Sequence, residues 1–207
     1  DELGELADAF NSMAAAVHDS HLALTHRATH DPLTGLANRA ALTERLTATF
    51  KPGTDRRSRH EGLLIIDVDD FKDVNDSLGH EGGDALLVQL AGRLQGCVRS
   101  HDLAARLGGD EFAIVVSDDA DGSVTAGIAE RIHDTLRAPF SVGEVRLKVS
   151  VSMGAAQRRP ETGDPAELLR QADFAMYTAK QNGKGRYQRF DAEGYDRMTH
   201  RAALRAD

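Results

Sequence analysis

Two groups of acids carry the first chemical signal in this chain. Asp67, Asp69 and Asp70 end the apolar run LLIIDVDDF, and Asp110 and Glu111 follow the glycine pair of RLGGDEFAIV. Gly108 and Gly109 supply a tight hairpin turn at no steric cost, but a turn does not need two acids straight after it. If the strands leading into the two groups are neighbours in one sheet, the carboxylates share an edge. They then repel one another, which raises their pKa values unless a cation is present. Mg²⁺ relieves that repulsion, because it takes one or two carboxylates and fills its other positions with phosphate oxygens and water. Carboxylate-bound metals serve phosphoryl or nucleotidyl transfer by activating the attacking oxygen and neutralising the leaving group. Acids also cap strand ends and solvate turns, which is the ordinary reading for Asp69 and Asp70. It fits Asp67, Asp110 and Glu111 less well, since hydrophobic strands lead into both groups. A general acid and base acting on a glycoside is the other chemistry that paired carboxylates allow.

The elements that must position these acids can be read from the surrounding pattern. LLIIDVDDF reads as a short central strand, and DLAARLGGDEFAIVV as a hairpin. Leu86, Leu87, Leu90 and Leu94 give DALLVQLAGRLQGCV one apolar helical face, with Cys97 at a buried position. ANRAALTERLTATF predicts a helix capped by Asn38, and SVTAGIAERIHDTLRAPF a helix ended by Pro139. Val145, Leu147, Val149 and Val151 alternate, which predicts one strand through EVRLKVSVSMGAA. Asp164-Pro165 opens a last helix that ends near Gly183, and YQRF follows as an edge strand. Helices interleaved with strands and a hairpin give an α+β class: a mainly antiparallel sheet flanked by helices.

The N-terminal segment has a pattern of its own. Leu3, Leu6, Phe10, Met13 and Val17 follow a heptad seam that continues less cleanly through Leu24. This predicts a coiled-coil helix over residues 1–29, a main domain over 30–190 and a tail over 191–207. His26 and His30 are four residues apart and have zinc-ligand spacing, although a polar helix face is the plainer reading. The net charge of −8 excludes a general nucleic-acid or membrane-surface binder. Cys97 is the single cysteine, which suits a reducing compartment, and no apolar run reaches membrane-spanning length. The chain opens on DELGELADAF without methionine, the expectation for a piece of something longer.

RLGGDEF matches the signature of the GGDEF domains, the diguanylate cyclases that join two GTP into cyclic di-GMP. Further stretches resemble that family in the same order: DPLTGLANR, DVDDFKDVNDSLGHEGGD, SVSMGAA and ADFAMYTAKQNGKGR, together spanning about residues 30 to 190. DELGELADAFNSM resembles the end of a HAMP domain, the helical relay of membrane-anchored sensors. The resemblance implies a palm-like core related to nucleotide cyclases and a cytoplasmic location, with membrane contact only through segments upstream of this chain.

Roles follow from the resemblance residue by residue. Asp67 and the Val68 carbonyl would hold Mg²⁺, or Mn²⁺ in its place, together with Asp110 and Glu111. Asp110 would also serve as base toward a 3′-hydroxyl, and Gly108 and Gly109 would allow close approach of GTP. Asn75 and Asp84 match the guanine readers of the family; a carboxylate accepts from guanine N1–H and its exocyclic amine. Phe71, Lys72, Lys180 and Lys184 match further substrate contacts, although each lysine by itself reads as a solvated charge. Arg99 and Asp102 of RSHD match the RxxD site that binds cyclic di-GMP as an inhibitor, with Arg131 as a weaker second arginine; a surface ion pair is the plainer reading. A homodimer assembled by the N-terminal helix would unite two half-sites. Two other functions fit the same residues: a class III-type mononucleotide cyclase, and an inactive module that only binds GTP or cyclic di-GMP.

Overall fold

The computed structural model describes residues 13, 26–51, 60–117, 119–159 and 162–195. The predicted coiled coil and HAMP-like stretch lie almost wholly outside these residues. The described chain enters through a helical turn at 26–29 and a loop in which Asp31 accepts hydrogen bonds from the Thr34 amide and hydroxyl, at 2.8 and 2.7 Å. Helix α1 (Arg39–Thr49) then starts as predicted, with the Asn38 side chain accepting from the Ala41 amide.

Strand β1 (Gly62–Val68) is buried at every position, as its unbroken apolar run requires. After it come α2 (Phe71–Gly96), β2 (Leu103–Gly108), β3 (Glu111–Val116) and α3 (Ser123–Leu136). The chain continues through β4 (Phe140–Val142), β5 (Val145–Leu147), β6 (Val151–Gln157), α4 (Pro165–Gln181) and β7 (Tyr187–Arg189). Five strands form a sheet in the order β2-β3-β1-β6-β7. All its pairings are antiparallel except β6 with β7, which run parallel. The class is therefore α+β with a mixed sheet.

Alternation along β1 divides the core. Leu64, Ile66 and Val68 face α2 and α3, where Leu86, Leu90, Leu94, Ile128 and Ile132 cover them. Leu63 and Ile65 face α1 and α4, where Leu42, Leu46, Leu168 and Met176 close the opposite side. Helix α4 lies unusually close to β6. A Cβ on Gly154 would stand 2.0 Å from the Met176 backbone nitrogen and 2.3 Å from the Ala172 carbonyl oxygen. Asp164 caps this helix by accepting from the Glu167 amide, with proline in the first turn as expected.

Two expectations need correction. The single strand predicted through residues 144–156 is two: β5 pairs only with β4 in a separate hairpin, and β6 enters the main sheet after a break. Alternation alone does not reveal that Gly143, at φ 58°, has already turned β5 back on β4. The helix predicted from DALLVQL begins earlier, at Phe71, and is interrupted at Gly79, which has φ 73° and ψ 170°. Residues 192–195 form a helical turn, and Tyr195 packs edge-on against Phe174 with ring centroids 4.9 Å apart.

Candidate active site

The two acid groups meet at one end of the sheet. Asp67, near the end of β1, is the register partner of Glu111, the first residue of β3. The Val68 amide donates to the Asp110 carbonyl at 3.3 Å, so the hairpin turn is tied to the mouth of β1. Gly108 and Gly109 form that turn at φ 135° and 53°, and no atom stands within 4 Å of where their side chains would be. Glycine is needed here for the backbone conformation, and the space above it is open.

Asp67 is buried, and its carboxyl is pushed above the usual range. Burial is the main cause, opposed by a hydrogen bond from Lys180 and reinforced by the charges of Asp110 and Glu111. The Lys180 ammonium lies 2.7 Å from the Asp67 carboxylate, reaching it from the last turn of α4. Close packing of α4 on Gly154 allows that reach. Glu111 is paired with Arg39 at 3.6 Å, both partly exposed. Among the described residues no three side chains converge as a ready-made metal cage. A buried acid flanked by two more, with a hard carbonyl alongside, nevertheless suits a hard divalent cation that draws its remaining ligands from phosphates and water.

A second cluster occupies α2. The break at Gly79 redirects the helix, and the Asn75 side chain then rests against the backbone of Gly83. A Cβ there would fall 2.0 Å from Asn75 Oδ1 and 3.1 Å from the Phe71 ring. Asp84 is the next residue and is exposed, as is Lys72. A polar amide, an aromatic edge and a free carboxylate therefore share one part of α2. Lys184 follows α4 in a tight turn and pairs with Asp70 at 2.5 Å.

Arg99 and Asp102 stand apart, in the connection before β2, at the opposite end of that strand from the glycine turn. They do not form the surface ion pair expected as the plainer reading. The Asp102 side chain is wholly buried, accepting from the Arg99 amide at 3.0 Å and the Ser117 amide at 3.1 Å. Its present work is to close a turn. Arg99 is the exposed member of the pair, whereas Asp102 lines a cleft of about 440 Å³ with His30, Thr34, Gly92 and Gln95. Arg131 donates to the Cys97 carbonyl at 2.9 Å and so braces the end of α2. The His26 and His30 rings stack on each other with centroids 4.0 Å apart.

Sequence reasoning missed Arg106 and Asp31. Arg106 donates to both Asp31 carboxylate oxygens, at 3.1 and 3.2 Å, and to the Gly109 carbonyl at 3.0 and 2.7 Å. It fastens the glycine turn to the loop that begins the domain. The arginine stands inside the RLGGDEF string, but its partner is 75 residues away.

Residues 28–186 match the family described as "Diguanylate cyclase, GGDEF domain". This chain belongs to that family. Diguanylate cyclase TpbB of Pseudomonas aeruginosa is 39% identical over 189 residues, covering 89% of this chain but 43% of its own length. The chain thus spans less than half of that GGDEF protein. A solved structure comprising only the GGDEF domain of TpbB superposes with a TM-score of 0.75 at 38% identity, covering 82% of this chain and 99% of that one. The coiled coil and GGDEF domain of DgcB from Caulobacter crescentus, solved in complex with c-di-GMP, gives 0.79 at 26% identity, with 90% and 97% covered. Among the described residues of this GGDEF domain, no helix is long and apolar enough to cross a membrane.

Proposed function

We propose that this GGDEF domain condenses two GTP molecules into cyclic di-GMP and two pyrophosphates. The observation that carries the reading is the register pairing of Asp67 with Glu111, with Asp110 in the adjoining turn. That arrangement gathers carboxylates at one open edge, where a triphosphate has room to approach over Gly108 and Gly109.

In this reading Asn75 and Asp84 hold the guanine edge, Asn75 through its amide and Asp84 by accepting from N1–H and the exocyclic amine. Lys72, Lys180 and Lys184 hold the triphosphate, Lys180 turning to it from Asp67. Asp67, the Val68 carbonyl, Asp110 and Glu111 would hold Mg²⁺, or Mn²⁺ in its place, which when bound neutralises charge on the phosphates and the departing pyrophosphate. Asp110 removes the proton of the attacking 3′-hydroxyl. One domain supplies one nucleotide and half of the reacting groups, so two copies must face each other for each hydroxyl to lie in line with the other's α-phosphorus. The N-terminal residues, with their heptad seam and HAMP-like DELGELADAF, are the means of holding two copies together and relaying a signal from an upstream, membrane-anchored part. The catalytic domain itself then works in the cytoplasm. Arg99, exposed three residues before Asp102, serves as the product-binding arginine, giving feedback inhibition.

Incubation with GTP and Mg²⁺ followed by chromatography of the product tests the reading. Cyclic di-GMP is expected; cyclic GMP would indicate a mononucleotide cyclase, and binding without turnover an inactive receptor. Asp110→Ala removes turnover while the circular dichroism spectrum and melting temperature stay those of the parent. Arg99→Ala leaves the initial rate and raises the cyclic di-GMP concentration needed for half inhibition; an unmoved inhibition curve removes the site.

A further inference from the structure

Asp69 is buried at the end of the sheet that carries the other acids. Its carboxylate accepts from the Ser152 hydroxyl at 2.6 Å, the Ser150 hydroxyl at 2.8 Å and the Gly185 amide at 2.9 Å. Its own amide donates to the Ser150 carbonyl at 3.0 Å. One side chain therefore joins three separate segments: the loop after β1, the start of β6 and the turn after α4. Charge-assisted hydrogen bonds of this kind are about twice as strong as neutral ones, and a buried carboxylate with satisfied acceptors fixes its surroundings firmly.

The backbone on both sides of the clamp is strained. Among the described residues, Asp70 at φ 56° and Lys184 at φ 57° are the non-glycine residues with positive φ. One follows Asp69 directly, and the other precedes the glycine whose amide Asp69 holds. These two strained residues are also each other's partners, Lys184 Nζ to Asp70 Oδ1. A left-handed lysine persists only where its surroundings impose that conformation. Removing the clamp frees Gly185 and lets Lys184 relax away from the mouth of β1.

We infer that Asp69 is a positioning residue that locks the Lys184 turn to the strand end carrying Asp67, and so sets where the lysine meets a triphosphate. It touches neither nucleotide nor reacting atoms. The inference rests on the reading of Lys184 as a phosphate contact, and its test separates the two.

Hydrogen exchange by NMR on the whole chain without nucleotide reads the clamp directly. The Gly185 amide is protected in the parent and exchanges at least about tenfold faster in Asp69→Ala. An unprotected Gly185 amide in the parent overturns the inference, whatever the protein does with GTP. Titration with a non-hydrolysable GTP analogue and Mg²⁺ gives the second readout. Asp69→Ala and Lys184→Ala each weaken binding by about tenfold, and the double variant is no weaker than the poorer single one. Asp69→Asn keeps an acceptor for the Gly185 amide and stays within about threefold of the parent. Effects that multiply in the double variant, or an Asp69→Ala variant that binds as the parent does, overturn the inference. Should Asp69→Ala fail to fold, Ser150→Ala/Ser152→Ala removes two of the donors and enters the same cycle with Lys184→Ala. A parent that binds the analogue but makes no cyclic dinucleotide refutes the cyclase reading and leaves Asp69 in its role. A parent that binds no analogue refutes both.

Discussion

Gly83 lacks a side chain because Asn75 occupies the space one would fill. The methyl group of Gly83→Ala would meet the end of a movable side chain rather than backbone, so the fold tolerates it and Asn75 is displaced. The expected result is a raised KM for GTP, by about tenfold if one guanine hydrogen bond is lost, with little change in melting temperature. A calorimetric titration beside a thermal melt checks both. Asp31 offers a pH-dependent test at the same scale. Burial pushes its carboxyl up, but hydrogen bonds from the Thr34 side chain and amide and from Arg106 outweigh it and hold the group below its ordinary 3.8. Its contribution to stability is therefore complete above 3.8 and is lost as pH falls through the lower folded value. Thermal melts across that range should show Asp31→Asn losing stability at neutral pH and converging on the parent in acid. At this scale the sequence exposed Asp67, Asp110 and Glu111, since hydrophobic strands lead into both acid groups. It hid Asp69, because an acid that binds serines and an amide from distant segments has the same local surroundings as one that solvates a turn.

Helix α4 matters to the site because of where its last turn arrives. Gly154 brings the helix onto β6, and that approach places Lys180 beside Asp67. In Gly154→Ala the new methyl meets backbone atoms of Met176 and Ala172, which cannot step aside as a side chain would. A loss of about 1–3 kcal/mol in stability is expected from overpacking, together with a fall in turnover as α4 lifts away. Urea unfolding and a rate assay on the same preparation measure the two effects, and the rate should fall even where folding is complete. Most elements were legible because their signals are local: the Asn38 and Asp164 caps, the glycine hairpin, the apolar run of β1. The break at Gly79 and the separation of β5 from β6 were not. Both depend on a glycine with positive φ, and a glycine in the sequence does not state its conformation.

For the molecule as a whole, the proposed reaction needs two half-sites and so makes activity a property of pairs. Specific activity should rise with protein concentration and level off once dimers predominate. Deleting residues 1–29 should shift that rise to higher concentration without altering the limiting rate, provided the heptad seam is what joins two copies. A dilution series monitored by product formation, with sedimentation in parallel, checks both. The overall architecture was legible as a class, because interleaved helices and strands leave few ways to cover both faces of a sheet. The parallel partner of β6 was not, since a three-residue strand carries no directional signal.

The borders of the sheet bear on how two such molecules can meet. On one flank β7 is three residues long. On the other, Ala37 runs alongside Ala105 and its carbonyl takes the Arg106 amide at 2.8 Å, occupying hydrogen-bonding groups that β2 would otherwise offer. Neither flank offers a long row of free peptide groups for a second molecule to extend. If two copies meet face to face as the proposed reaction requires, neither border gives them a way to zip strand to strand into continuous ribbons.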